Sequence, residues 1–310
     1  MHRPPRLKRG DTIGIVAPSS PVPELELAAA VAMLRDRGYK VEVAGHVLET
    51  LPGQEYLAGS DEARAEDLHT MLTRDDIDAV LCARGGYGAM RLFGRLDLRA
   101  LARRPRVFVG YSDITSLHLA FTQGAGQISF HGPNVTALAR LDPIATEVFW
   151  RLLESAEAYG PLPAPPEQMY TLVGGQAIGE LAGGNLCLLA HAVGSRFHPD
   201  FGGKVVLLED VNEAIYRVDR ALTQLRNAGI LDHVAGFVVG SITGWRKQEP
   251  DPPRNSPDAL WRDILAPLGK PTITGFPFGH EPNPLTLPLG VLARLDADAR
   301  TLTLMDPAVD

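Results

Sequence analysis

The stretch Arg106-Val-Phe-Val-Gly-Tyr-Ser-Asp-Ile-Thr-Ser-Leu-His-Leu-Ala120 decides the fold. Its apolar opening predicts a strand, and the residues beyond Asp113 predict a helix, with the chain turning between them through Gly110 to Asp113. The same alternation recurs upstream. Thr12-Ile-Gly-Ile-Val-Ala-Pro18 reads as a strand, Glu24 to Arg37 as a helix stopped by Gly38, and Tyr39 to Ala44 as a second strand. Ser60 to Leu72 follows as a polar-faced helix and Ala79 to Ala83 as a third strand. Strands alternating with helices predict a parallel sheet covered on both faces, and such sheets bind their ligands beyond the carboxyl ends of the strands.

Downstream the texture changes. Gly160-Pro-Leu-Pro-Ala-Pro-Pro166 places four prolines in seven residues and reads as a linker, which divides the chain into 1–160 and 161–310. The second half carries Gly174-Gly and Gly183-Gly-Asn185, the apolar run Val205-Val-Leu-Leu-Glu-Asp210, and a helix from Glu213 to Ala228. Two further runs, Ala235 to Thr243 and Pro271 to His280, precede an alternating tail. The expectation is an α/β fold: an N-terminal parallel-sheet α/β domain and a smaller C-terminal α+β domain with mixed strands.

Composition narrows the function. At 310 residues and 45% hydrophobic the chain has ample material for a packed core, and a formal net charge of −7 argues against nucleic acid or anionic lipid as a partner. Only two cysteines occur, Cys82 and Cys187, each in an apolar run that suits a buried free thiol, and so small a number excludes a disulfide scaffold or a four-cysteine zinc site. No apolar run approaches the roughly 18 residues of a membrane span, and the basic N-terminus meets Pro18 too soon to act as a secretory signal. A soluble cytoplasmic protein is the expectation.

Ser112 stands at the strand-to-helix corner. It either caps the helix or is a nucleophile lifted clear by a tight turn, although Ile114 replaces the second glycine of the usual Gly-x-Ser-x-Gly elbow. A serine nucleophile needs a base and a group to orient it. His280 lies between a strand and a proline-stiffened loop that would fix its ring, while Glu209 and Asp210 close a very apolar strand where a carboxylate must find a partner. Asp210 has the simpler alternative of capping the helix that follows.

Ala83-Arg-Gly-Gly-Tyr-Gly-Ala-Met-Arg91 follows the third strand. As a dinucleotide fingerprint it fails, since Gly86-x-Gly88-x-x-Arg91 lacks the third glycine, so no cofactor is expected. It reads better as an oxyanion donor, with the N–H of Gly86 on one side and that of Asp113 on the other. The same turn offers Arg84 and Tyr87 as substrate contacts, Arg84 as a cation for a terminal carboxylate. No His-Glu-x-x-His, His-x-His or Cys-x-x-Cys occurs, so no metal is expected.

Taken together, GDTIGIVAPSSPV, ARGGYGAMRLF, FVGYSDITSLHLA, HGPN, GGNLCLLAHAVGS, VVLLEDVNEAIYRVDRALTQLRNAG and GFPFGHEPNPLTLPLG resemble the LD-carboxypeptidase family of serine peptidases, in the family's order and across nearly the whole chain. The resemblance implies Ser112 as nucleophile, His280 as base and Glu209 as its orienting carboxylate, with Gly86 and the Asp113 N–H as oxyanion hole. It also implies two domains with the site in the cleft between them, and a homodimer. GGNLCLLAHAVGS and LEDVNEAIYRVDR look closer to the murein tetrapeptide carboxypeptidases than to the microcin C immunity branch, because no tryptophan closely follows the GGN turn. The implied activity is removal of the terminal D-alanine of a muropeptide during cell-wall recycling. The alternatives are an amidase acting on peptidyl or aminoacyl adenylates, and a silent binding protein on the same scaffold.

Overall fold

The computed structural model describes residues 1–245 and 256–310, which gather into two compact units. One comprises Met1–Glu157, Thr286–Leu289 and Pro307–Asp310; the other comprises Ala158–Leu285 and Gly290–Asp306. The strands of the first unit are β1 (Thr12–Val16), β2 (Lys40–Val43), β3 (Ala79–Cys82), β4 (Val107–Gly110) and β5 (Ser129–His131). The second unit holds β6 (Gly160–Pro161), β7 (Tyr170–Val173), β8 (Gln176–Asn185), β9 (Val205–Val211), β10 (Gly236–Thr243) and β11 (Thr272–Thr274). The chain then returns to the first unit for β12 (Leu287–Leu289), and β13 (Leu292–Asp296) and β14 (Thr301–Leu304) complete the second.

The first sheet has the order β12-β5-β4-β3-β1-β2. β1 to β5 run parallel, as the alternating sequence predicts, and β12 adds an antiparallel edge on β5. β3 and β4 are buried at every residue, which is why they read as unbroken apolar runs, whereas edge strand β2 carries Lys40 and Glu42. The helix Asp61–Thr73 starts where Ser60 Oγ accepts the Ala63 N–H at 3.1 Å, and Asp61 and Glu62 suit the positive end of its dipole. Beyond β4 the predicted helix is composite. A 3-10 turn over Ser112–Ile114 leads into α-helix Thr115–Leu119 and a π-turn over Ala120–Gly124.

The second sheet is mixed, with the order β6-β14-β13-β8-β9-β10-β11-β7. Its parallel centre, β8 to β11, is flanked by antiparallel strands. The helix Ile215–Asn227 buries Ile215, Val218, Leu222 and Leu225, an apolar stripe at helical spacing. The proline run at 160 is not a free linker. Gly160 and Pro161 form the outermost strand on β14, and Leu162 is buried and donates its N–H to Leu302 O at 2.9 Å. A proline without an N–H is tolerated there because the outer side of an edge strand needs no donor.

Among the described residues no helix is long and apolar enough to cross a membrane.

Candidate active site

In the first unit, β4 ends at Gly110 and the next corner is sharp. Ser112 has φ 66°, a left-handed conformation that a serine adopts only when its surroundings enforce it, at a cost of roughly 1–3 kcal/mol. Such a turn presents the hydroxyl away from the strand, the property that the nucleophile reading requires. The enforcement comes from both sides. Below the corner, His118 is fully buried and donates Nε2–H to Gly110 O at 2.8 Å, while Nδ1 accepts the Ser129 hydroxyl at 2.9 Å. Burial pushes its pKa down to about 4, so His118 is a neutral strut rather than a base.

Above the corner lies the glycine turn. A Cβ at Gly85 would come within 2.9 Å of Ser112 Cβ, so that turn passes directly beside the serine. Gly86 has φ 112°, and a Cβ there would overlap Ser20 Oγ. Only glycine satisfies both demands. The Asp113 N–H lies in the first turn of a helix, where no intrahelical acceptor exists. Of the two expected substrate contacts, Arg84 is exposed with Nη1 3.4 Å from Pro21 O, and Tyr87 is exposed and edge-on to Tyr56 at 5.7 Å between ring centroids.

In the second unit, β9 delivers Glu209 and Asp210, both buried. Glu209 Oε2 lies 2.6 Å from His280 Nδ1. The pairing of β9 with β10 is interrupted between Val239 and Ile242, opposite Glu209, by an irregularity of the kind that re-aims a side chain. Gly279 has φ 79°, and a Cβ there would overlap the Glu209 carboxyl, so the residue before His280 must be glycine for the contact to form. Burial disfavours the imidazolium of His280, but the hydrogen bond and charge of Glu209, with the charge of Asp210 behind them, outweigh it and raise the pKa above its ordinary value.

Asp210 does something the sequence reading did not anticipate. Instead of capping the helix that follows, its Oδ2 accepts the Cys187 N–H at 2.9 Å, at the start of the preceding helix Leu186–His191. Its Oδ1 accepts Asn185 Nδ2 at 2.9 Å and its own neighbour's N–H, Val211, at 2.8 Å. β8 and β9 are adjacent and parallel, so the end of β9 reaches the start of the helix that leaves β8. Burial, followed by the charge of Glu209, raises its pKa to about 6.

Arg64 and Ser19 also escaped the sequence reading. Arg64 belongs to a helix that reads as polar-faced, yet its guanidinium is buried and donates to Pro18 O, to Gly88 O at 3.0 Å and to Asp61. Nothing in local periodicity marks a buried arginine.

Residues 13–132 match the LD-carboxypeptidase N-terminal domain and residues 178–295 the LD-carboxypeptidase C-terminal domain. The chain belongs to the LD-carboxypeptidase family. It is therefore a hydrolase of the serine peptidase class. An LD-carboxypeptidase relative from Bacillus subtilis, named "probable murein peptide carboxypeptidase", is 35% identical over 306 residues, covering 98% of this chain and 94% of its own. The crystal structure of muramoyltetrapeptide carboxypeptidase from Oxalobacter formigenes is 31% identical with a TM-score of 0.80, over 94% of this chain and 97% of that one. The microcin C7 self immunity protein MccF, in its wild-type apo state, has a TM-score of 0.88 at 23% identity over the full length of both chains, a likeness of fold.

Proposed function

We propose that this LD-carboxypeptidase removes the terminal D-alanine from murein tetrapeptides, across the bond from an L-centre to a D-residue, with Ser112, His280 and Glu209 as its triad. The observation that carries the reading is the 2.6 Å contact between Glu209 Oε2 and His280 Nδ1. A carboxylate only accepts, so Nδ1 carries the proton and Nε2 keeps its lone pair. Nε2 takes the Ser112 hydroxyl proton as Oγ attacks the scissile carbonyl, and Glu209 stabilises the imidazolium. The N–H groups of Gly86 and Asp113 receive the negative oxygen of the tetrahedral intermediate. Its collapse breaks the C–N bond, and the imidazolium hands its proton to the departing amine. Water, deprotonated by His280, then attacks the acyl-enzyme; the ester C–O bond to Oγ breaks and the imidazolium returns its proton to Ser112. Arg84 supplies the cation that receives the substrate's terminal carboxylate. The place of this reaction is cytoplasmic recycling of wall peptides, a reading supported by the murein relatives and by cysteines left unpaired.

The test compares kcat/KM on a tetrapeptide ending in D-Ala, its L-Ala epimer and its C-terminal amide, with products read by mass spectrometry. Expected are the highest kcat/KM on the D-Ala peptide, a penalty for the amide of at least about 2–3 kcal/mol, and loss on the order of 10⁶ in Ser112→Ala. Equal rates on all three peptides, or preference for aminoacyl sulfamoyl adenylates, would overturn it.

A further inference from the structure

The side chain of Asp113 has no part in the reaction just described, which uses only its N–H. Yet this carboxylate is buried one residue beyond Ser112, and a single oxygen, Oδ2, accepts the Ser19 hydroxyl at 2.6 Å and the Ala89 N–H at 2.8 Å. Both donors lead to the glycine turn. Ser19 belongs to a segment pinned along its length: Pro18 O accepts from buried Arg64, and Ser19 O accepts the Ala58 N–H at 2.9 Å. Its next residue grips the turn directly, because the Ser20 N–H donates to Gly85 O at 3.3 Å and Ser20 Oγ accepts the Tyr87 N–H at 3.2 Å. On the far side, Gly88 O accepts from Arg64 at 3.0 Å and Ala89 is held by Asp113 itself. The peptide at Gly86 is thus bracketed at residues 85, 87, 88 and 89, and two of the routes to those holds start at Asp113 Oδ2.

We propose that the Asp113 carboxylate, acting through Ser19 and Ala89, is the positioning residue that fixes the Gly85–Ala89 turn against Ser112, so that one residue supplies one oxyanion donor from its backbone and sets the other through its side chain. This rests on the nucleophile and oxyanion assignments above. A buried carboxylate that accepts from an alcohol and an amide on one oxygen has a defined direction, and an oxyanion donor displaced by about 1 Å costs on the order of 100-fold in turnover.

Ser19→Ala removes one of the two holds while leaving Asp113 in place, and Asp113→Asn keeps its shape but removes its charge. Active sites are counted with a fluorophosphonate, and kcat, KM, thermal midpoint and the affinity of a peptide boronate, whose tetrahedral adduct occupies the oxyanion site, are measured for each. Expected are a kcat per titrated site lower by about 10- to 100-fold, KM within a few fold, and boronate affinity falling in parallel with kcat/KM. A lower thermal midpoint with kcat per site and boronate affinity unchanged in both variants would make Asp113 a merely structural acid and overturn the inference. If Asp113→Asn fails to fold, Ser19→Ala alone decides between these outcomes. Should Ser112→Ala retain turnover, the underlying assignment fails; should it abolish turnover while Ser19→Ala and Asp113→Asn keep theirs, only the inference fails.

Discussion

At the scale of the residue, the chemistry depends on how one imidazole is charged. His280 must be neutral to accept a proton, and its pKa stands above the ordinary 6.5. Activity is therefore lost as pH falls through a value above 6.5, and the acid limb of kcat/KM belongs there. Glu209→Gln removes the charge that raises the pKa, offers at best a weaker neutral acceptor, and leaves the burial that lowers it. Its residual kcat/KM should be down on the order of 10³–10⁴, and its acid limb should move to lower pH. Profiles of both proteins between about pH 5 and 9 decide the matter. An acid limb at the same pH in both would show that Glu209 does not govern this titration.

At the scale of the element, β9 sends two adjacent carboxylates to different tasks because successive side chains of a strand point to opposite faces. Glu209 meets His280, and Asp210 holds the start of Leu186–His191 together with Asn185, whose own Oδ1 caps Leu188 N–H at 3.2 Å. In Asp210→Asn the amide NH₂ would face the donors of Asn185 or Cys187. Leaving one of those buried donors without an acceptor costs about 1–3 kcal/mol. The expected outcome is a lower denaturant midpoint with kcat within a few fold of wild type. An unchanged midpoint together with a kcat as low as that of Glu209→Gln would reverse the two roles.

At the scale of the whole molecule, stability toward acid should depend on His118. Its folded pKa of about 4 lies below the 6.5 of an unfolded histidine, so between these values the unfolded chain binds the extra proton. Its contribution is complete above pH 6.5 and lost as pH falls toward 4, on the order of 3 kcal/mol across the window. Asp210 acts in the opposite sense, since its folded pKa of about 6 exceeds the ordinary 3.8 and its term weakens the fold as pH rises through that range. Comparing wild type with His118→Gln cancels the Asp210 term. Urea titrations of both at pH 7 and pH 4.5 should show the variant less stable at neutral pH yet losing less stability on acidification; parallel losses would contradict the neutral-strut role.

What the sequence determined by itself is local. The fully buried strands β3 and β4 and the turn after Gly110 follow from apolar runs and helical spacing within about 15 residues, and the order Ser112, Glu209, His280 stands in the chain for anyone to see. What only the tertiary structure decided is the contact that closes each pairing across distance; no local pattern joins Glu209 to His280, a pairing that the family resemblance alone anticipated. Glu209 and His280 are 71 residues apart, and Ser19 and Asp113 are 94 apart. The burial of Arg64, the grip of Asp210 on the helix that precedes it, and the return of Leu287–Leu289 to the first sheet belong to the same class. A side-chain pattern reports which face of its own element is apolar; the partner brought to that face is set by strand order, and strand order has no local signature.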